Sequence, residues 1–528
     1  MVTELRAHNK DLGVDPGIYA ALKAANTASY VLIGKILTFL MTGIALVLIT
    51  RILGPSQYGI YALAVAFASI FGSIGYFGIG TAMSKFIAEY RQGKKLQEVN
   101  NVISNALFMI VVAGVVLSLI SFALNNLVAY YVFHNSSLSY VIKIVSFYII
   151  TSMLFGSVYD TLLGFGQGKQ IAIVASIEAV LQAAISIILA IMGFGAIAPI
   201  LGLIIGYFAG FAVGISMILR QNRVRLCRPS AKYMLKILNF SFPVAMSNIS
   251  GNLLSSFGLV FLGYFVLPGL IGNASAATRV GALVSIVFDS ISFALLPAFS
   301  AALADPKTKN EIGRFYGYVV YLAIALVSPM LLYMTVFSTP FSGLIFGSNY
   351  TYAPLFISII SIGLLLGVAG SYASTILISA SRVRLVFKYN VAINLIVLLL
   401  LVFIVPYFDG IAYITIIYIV SPLIGDFFFI RELSKMFKVK LRFNKFIRLI
   451  VAGLITSAVA AVLYLFLSNA LLLAGAVITY ILLYPILATL LKGADRGDIN
   501  TIKEISIGIP FVGRALAAIA NYAEIGLR

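Results

Sequence analysis

Apolar residues do not alternate with polar ones in this chain; they run in long blocks, broken by short polar turns, from Ser29 to Leu491. Blocks of about 20 residues match the roughly 30 Å hydrocarbon core of a bilayer when coiled as helices. Stretches such as 111–120 and 391–405 lack the period-two signal of a membrane β-barrel. The pattern predicts fourteen spans at 29–50, 59–86, 99–122, 140–165, 170–193, 196–219, 240–266, 276–303, 313–337, 354–380, 387–405, 410–430, 446–467 and 471–491. The expected fold class is therefore an all-α polytopic membrane protein.

The polar turns carry a second pattern. Cations mark every other connection: Arg91/Lys94/Lys95, Lys169, Arg220/Arg223/Arg225/Arg228, Lys307/Lys309, Arg382/Arg384 and Arg431/Lys435/Lys438/Lys440/Arg442. The intervening connections carry almost nothing positive beyond Arg51. By the positive-inside rule the marked set is cytoplasmic, which places both termini in the cytoplasm of a multi-pass plasma-membrane protein.

Sliding the chain by 213 residues aligns Pro55 with Pro268, Gly59 with Gly272, Phe86 with Phe299, Lys94 with Lys307 and Glu98 with Glu311. Spans one to six then fall on spans seven to twelve, an even number, so the halves enter the membrane in the same sense. The expected organisation is a 1–28 cytoplasmic segment with an interfacial helix, a 29–219 N-lobe, a 220–239 basic connection and a 240–430 C-lobe. A basic loop with the last two helices at 431–491 and an amphipathic cytoplasmic tail at 492–528 complete it. Two similar bundles around a central cavity suit alternating access.

Composition narrows the class. With 528 residues, 61% hydrophobic and 10% charged, the chain holds more apolar surface than a water-soluble fold of this size can hide. The net charge of +19 is distributed over alternate turns rather than gathered in one aromatic-interleaved patch, which argues against nucleic acid as a partner. The lone Cys227 forms no internal disulfide, and the segment 1–23 lacks the pattern of a removable signal peptide. Trp is absent, so Tyr30, Tyr58, Tyr61, Tyr130, Tyr131, Tyr350 and Tyr352 are expected to form the interfacial belt. His8 and His134 have no companions at metal-ligand spacing and there is no GxxxxGK[ST] loop, so no metal, cofactor or ATP site is expected, and no catalysis. A membrane glycan polymerase or ligase would need charged outer loops, and 123–139 and 338–353 hold no acid, Lys or Arg.

An ion in the hydrocarbon costs about 2.5–3.5 kcal/mol on insertion scales, so intramembrane charges are the candidate functional residues. Lys35 either contacts substrate or snorkels to the inner surface; Arg51 and Arg279 either grip a diphosphate or anchor at the interface. Asp289 and Glu178 lie deep in their spans and either couple transport to H⁺ or Na⁺ or stand as neutral acids hydrogen-bonded to a neighbouring helix. Asp160 and Asp426, nearer the cytoplasmic ends, are expected to be solvated or paired with loop cations. Ser241, Asn248, Asn252 and Ser255 share one face of the seventh span, suited either to sugar contact or to interhelical hydrogen bonds.

The run Arg51-Ile-Leu-Gly54-Pro55-Ser-Gln-Tyr58-Gly59-Ile-Tyr61, the second span's Gly72, Gly75, Gly78 and Gly80, the sequence Leu296-Pro297-Ala-Phe299-Ser300 and the sequence Asp409-Gly410-Ile-Ala412-Tyr resemble the polysaccharide-biosynthesis flippases of the multidrug/oligosaccharidyl-lipid/polysaccharide exporter superfamily, which includes MATE-like antiporters. The resemblance runs from about Ser29 to Leu491. It implies a monomeric fourteen-helix, two-lobed carrier that flips a polyisoprenyl-diphosphate-linked oligosaccharide. Lys35 and Arg279 would meet the diphosphate, and Asn248, Asn252 and Ser255 the sugar. The alternative within the superfamily is a cation-coupled multidrug antiporter; the family's drug exporters place an acid in their first helix, and 29–50 has none.

Overall fold

The computed structural model describes the backbone of residues 16–221, 224–304, 311–439, 441–464, 469–507, 518–519 and 521–524; side chains are described from residue 38 onward, with interruptions that include 246–254 and 289–291. Among the described residues there is no strand. Among the described residues ten helices are long and apolar enough to cross a bilayer, or eleven if one bent pair counts as a single span. In lipid each backbone N–H and C=O needs an intramolecular partner, and a continuous helix supplies it within one segment. The protein is a multi-pass α-helical membrane protein.

The helices are α1 (Pro16–Tyr76), α2 (Ile79–Gln92), α3 (Leu96–Ala123), α4 (Leu138–Gly164), α5 (Gly168–Ile191), α6 (Ile197–Gln221) and α7 (Ala231–Phe265). They continue as α8 (Pro268–Ala304), α9 (Ile312–Val336), α10 (Ser338–Ile345), α11 (Ala353–Leu366), α12 (Val368–Ser379), α13 (Val383–Thr415), α14 (Ser421–Met436), α15 (Phe443–Tyr464), α16 (Asn469–Leu490) and α17 (Arg496–Ile507).

Most expected spans overlap these helices to within a few residues, with departures: α13 runs on through the expected connection 406–409, and a π-helical turn at Ile416–Val420 interrupts the expected span 410–430. α1 kinks at Gly54, whose φ of 69° only glycine adopts without strain, and Pro55, lacking an N–H, starts the next stretch. The second expected span is not continuous: Phe77 and Gly78 take φ of 34° and 69° and separate α1 from α2. The expected span 354–380 is bent by 43° between α11 and α12. A Cβ on Gly367, at that bend, would lie 2.9 Å from Cβ of Pro422, so the small residue lets α14 lean into the break.

The chain divides into two compact units, Met1–Leu53 with Ile60–Tyr264 and Gly54–Gly59 with Phe265–Arg528. In the first, α6 lays Gly202, Gly206, Gly210 and Gly214 against α4 and α5. Cβ atoms there would lie 2.0 Å from Ser186 Oγ, 3.0 Å from the Glu178 carbonyl oxygen, 2.6 Å from the Phe155 ring and 2.1 Å from Val158. A glycine every fourth residue lets helices approach at backbone distance, the packing that replaces the hydrophobic drive absent in lipid. The basic connection before α7 is pinned to α3. The backbone N–H groups of Arg225, Cys227 and Ser230 donate to Asn100 Oδ1 (3.2 Å), Ser104 Oγ (2.8 Å) and Asn105 Oδ1 (2.6 Å).

In the second unit two of the pairs aligned by the 213-residue offset, Pro55/Pro268 and Gly59/Gly272, pack on one another. A Cβ on Gly59 would lie 1.7 Å from the Pro268 carbonyl oxygen, and one on Gly272 1.9 Å from that of Pro55. The contacts are reciprocal, each glycine facing the carbonyl of the proline four residues before the other. Further along, Asp498 is 2% exposed and receives Arg442 Nη1 at 3.0 Å and Lys445 Nζ at 2.5 Å; Lys445 also reaches Asp495 at 2.6 Å. Both cations lie over the Tyr321 ring, and Tyr321 Oη donates to the Gly493 carbonyl at 2.8 Å. This clasp fastens the start of α17 to α15 and α9.

Gly59→Ala is expected to destabilise the protein by roughly 1–3 kcal/mol through overpacking against backbone, whereas Gly43→Ala, whose Cβ would meet nothing within 4 Å, should leave it unchanged. Thermal unfolding in detergent measures both. Asp498→Ala strips two cations of a buried partner and should cost about 2–4 kcal/mol by the same measurement, given that the cations are partly exposed. Burial tends to raise the Asp495 carboxyl, but the Lys445 hydrogen bond and the Asp498 N–H outweigh it and hold the group down at about 2. Its contribution is therefore full above the unfolded carboxyl's pKa near 4 and lost as pH falls through about 2. Asp495→Asn should abolish that acid-side loss of α17 docking, read by limited proteolysis.

Candidate functional site

Four expected site residues, Lys35, Asn248, Asn252 and Asp289, have side chains outside the described residues. The others fall in different settings. Arg51 is exposed on α1 just before the Gly54 kink. Arg279 is exposed on α8, three turns from its start, within electrostatic reach of the Tyr418 phenol. Ser255 is exposed on α7, while Ser241 on the same helix is fully buried with no hydrogen-bond partner among the described residues.

Glu178 is 6% exposed on α5, packed where Gly206 and Gly210 of α6 bring that helix closest. Gly210 faces the Glu178 Cβ and the Phe155 ring together. Among the described residues its carboxylate meets neither a cation nor a hydrogen-bond donor. A carboxyl so placed is stable only when it holds a proton or a cation.

The two acids nearer the helix ends, expected to be solvated or paired with loop cations, accept instead from neutral donors. Tyr76 Oη donates to Asp160 Oδ2 at 2.7 Å, and the Ser84 hydroxyl donates to the Asp160 carbonyl at 2.7 Å, tying α1 and α2 to α4. Gly80 leaves room for that pair, since its Cβ would lie 1.8 Å from Asp160 Oδ2. In the second unit the Gly370 N–H donates to Asp426 Oδ1 at 2.8 Å, across α12 and α14. Both acids act as interhelical links.

A cationic cluster outside the expected site residues closes the basic end of the first unit. Lys85 Nζ lies 4.1 Å from the centroid of the Phe240 ring and 5.3 Å from that of Phe86. Lys236 Nζ lies 5.0 Å from the Phe86 centroid and 4.8 Å from that of Tyr90, and donates to Tyr90 Oη. The Tyr90 hydrogen bond raises the Lys236 ammonium above its ordinary value against the opposing effect of burial, so it stays charged; Glu89 and Glu98 add to the field. Glu98 is itself taken by Tyr233 Oη at 2.6 Å. Beside them Arg91 donates to the Phe165 carbonyl. Two exposed ammonium groups thus share the face of one aromatic ring, where cation–π attraction holds them while their remaining N–H donors face water. Such a rim attracts phosphate oxyanions. Lys85 and Lys236 are far apart in sequence, and only the packing of α2 on α7 joins them.

Residues 24–303 match the family described as polysaccharide biosynthesis protein. The probable low-salt glycan biosynthesis flippase Agl15 of Haloferax volcanii is 25% identical over 306 residues, 57% of this chain and 61% of that protein. The succinoglycan biosynthesis transport protein ExoT of Rhizobium meliloti is 23% identical over 322 residues, 60% of this chain and 61% of that protein. The chain thus spans about 61% of the length of these curated relatives. In fold it is similar to the lipid II flippase MurJ in an inward closed conformation, with a TM-score of 0.72 and 16% identity over 87% of this chain and 98% of that one. An inward-facing multidrug resistance MATE family transporter is similar at 0.65 and 13%, over 77% and 98%. Since the family match takes in more than half of the 528 residues, the chain belongs to the polysaccharide biosynthesis protein family.

Proposed function

We propose that this protein is a flippase that moves a polyisoprenyl-diphosphate-linked oligosaccharide from the cytoplasmic to the outer leaflet of the plasma membrane by alternating access. The carrying observation is the family match over 24–303, whose two curated relatives are named for glycan biosynthesis and transport. The fold it shares with a lipid II flippase supports the reading. The 213-residue repeat supplies the two similar parts that alternating access requires. It acts as a carrier rather than an enzyme, as a monomer, with both termini in the cytoplasm.

We count fourteen crossings. The apolar stretch Thr38–Tyr76 holds 39 residues and the Gly54 kink, about 58 Å of helix and too long for one crossing. Taking it as two, α11 with α12 as one, and α7 and α8 as one each brings the number to fourteen.

In this reading Lys35 and Arg279, with Arg51 at the interface, engage the diphosphate, and Asn248, Asn252 and Ser255 on α7 contact sugar. Lys85 and Lys236 form the cytoplasmic rim that first attracts the diphosphate. A second reading, a cation-coupled antiporter, is favoured by the buried Glu178 and by the fold shared with a multidrug transporter. Glu178 and Asp289 are the coupling candidates under either, with H⁺ or Na⁺ as the ion.

Cells lacking the gene should accumulate lipid-linked glycan in the inner leaflet and recover export on complementation. The double variant Lys35→Gln/Arg279→Gln, at equal protein level, should export about tenfold less or worse, the scale of losing charge-assisted hydrogen bonds. Unchanged export refutes that assignment. Sensitivity to cationic drugs with normal glycan export in the deletion strain would favour the antiporter.

A further inference from the structure

The first unit has two chemically different ends. Away from the basic turns at Lys94/Lys95 and Lys169, α3 does not turn directly into α4. The chain makes one helical turn at Asn125–Leu127 and a π-helical turn at Val128–Val132 before α4 begins at Leu138. A π turn holds an extra residue per coil and so re-aims the side chains on it; such turns concentrate at functional sites. This one is fixed. Ser139 Oγ stands 2.6 Å from the side-chain oxygens of both Asn125 and Asn126, and the backbone N–H and hydroxyl of Ser137 donate to Asn135 Oδ1. The His134 ring packs edge-to-face on Tyr264, 4.9 Å between centroids, which ties the turn to the end of α7.

The turn encloses an open hollow of about 560 Å³, lined by Asn126, Tyr130, Tyr131, Ser136 and Ser139 over an apolar floor of Leu127 and Ala129. That size falls within the roughly 300–1,000 Å³ of small-ligand sites. Tyr130 and Tyr131 are each 66% exposed and meet at 83° with centroids 5.0 Å apart, forming a right-angled aromatic corner. The Asn126 amide nitrogen and the Ser136 hydroxyl have no partner among the described residues. No acid, Lys or Arg occurs from 123 to 139.

This combination selects a chemistry. An ionic ligand finds no countercharge, and a purely apolar one leaves the amide and hydroxyls unanswered. A neutral sugar answers both, since the apolar C–H face of a pyranose packs on an aromatic ring while its hydroxyls exchange hydrogen bonds with amide and hydroxyl groups. We propose that this hollow is a carbohydrate subsite that receives the uncharged sugar portion of the transported glycan at the release end of the first unit. The proposal rests on the flippase reading for its ligand and on the hollow's own geometry for its chemistry.

The test uses the full-length protein in lipid nanodiscs. Its probe is the soluble oligosaccharide freed by mild acid from the host's lipid-linked glycan, which lacks both prenyl chain and diphosphate. Saturation-transfer NMR and calorimetry read its binding. Wild type should bind, and Tyr130→Leu/Tyr131→Leu should weaken binding about tenfold, the effect of losing a central aromatic anchor. Leucine keeps the apolar area that a bilayer anchor needs, so equal binding by wild type and double variant marks the rings as interfacial anchors and overturns the subsite. Ser136→Ala and Asn126→Ala, each expected to weaken binding severalfold, decide the matter where the double variant does not fold. Failure of wild type to bind also overturns the subsite, while export of the intact lipid-linked glycan in cells judges the flippase reading separately.

Discussion

One close backbone approach fixes the geometry of the second unit. Where Gly59 faces the Pro268 carbonyl and Gly272 faces that of Pro55, there is no space for a single Cβ on either strand of the contact. Lipid offers helices no hydrophobic reason to associate, so they associate through the contact that small residues permit. Consequences run outward from Gly272. The next residue, Asn273, is 3% exposed and accepts from the backbone N–H groups of Tyr352 (3.1 Å) and Ala353 (2.9 Å), satisfying the first turn of α11. α11 in turn brings Gly363 against the Tyr418 carbonyl, where a Cβ would lie 1.8 Å from the oxygen, and then bends at Gly367. A cap, a close crossing and a bend are thus set in series by one glycine.

The first unit uses the same device for a different end. Its glycine row on α6 draws that helix onto α5 until Glu178 is walled in. Elsewhere the protein handles acids conservatively: Asp160 has the Tyr76 hydroxyl, Asp426 the Gly370 amide and Asp498 two cations. Glu178 is the departure from that practice among the described residues. A group that is structurally replaceable would ordinarily be apolar at such a site, because burying an acid without a donor only costs stability. Its burial without a donor among the described residues is the physical basis for proposing that it carries a proton or a cation.

The fold was legible in the sequence because bilayer thickness and backbone satisfaction leave few choices: blocks of apolar residues become helices, and Gly54-Pro55 marks a kink by its own chemistry. At the 213-residue offset, Gly59 and Gly272 are positions where close approach to the Pro268 and Pro55 backbone forbids a side chain. Breaks at Phe77–Gly78 and Gly367 were not legible, because nothing local separates these from other glycine-containing helical stretches; tertiary contacts decide. The cationic rim was hidden in a different way. Lys85 lay inside the expected second span and Lys236 in the basic connection, and their common aromatic ring is a property of packing. The π turn escaped notice because 123–139 reads as an unremarkable polar-aromatic connection. Of the expected cavity residues, Arg51, Arg279 and Ser255 are exposed, and the side chains of Lys35, Asn248, Asn252 and Asp289 are outside the described residues.

The unlike ends of the first unit bear on how a carrier of this kind works. At one end two ammonium groups lie over one aromatic ring and, in the proposed reading, meet the diphosphate; at the other the connecting turn has no cation and a neutral hollow lined by one amide, two hydroxyls and two tyrosines. Tight hold of the diphosphate on one side and weak hold on the other shortens the wait for capture and for release. It cannot by itself drive net movement, because a carrier that only binds and reorients changes the rates of both directions and leaves the equilibrium between leaflets where it was. Directed flux has to enter from outside the binding chemistry, either through a titrating or cation-holding group whose occupancy differs between the two faces or through consumption of the glycan after it arrives. In the proposed reading Glu178 serves the first, since a buried carboxyl with no donor among the described residues has to hold a proton or a cation.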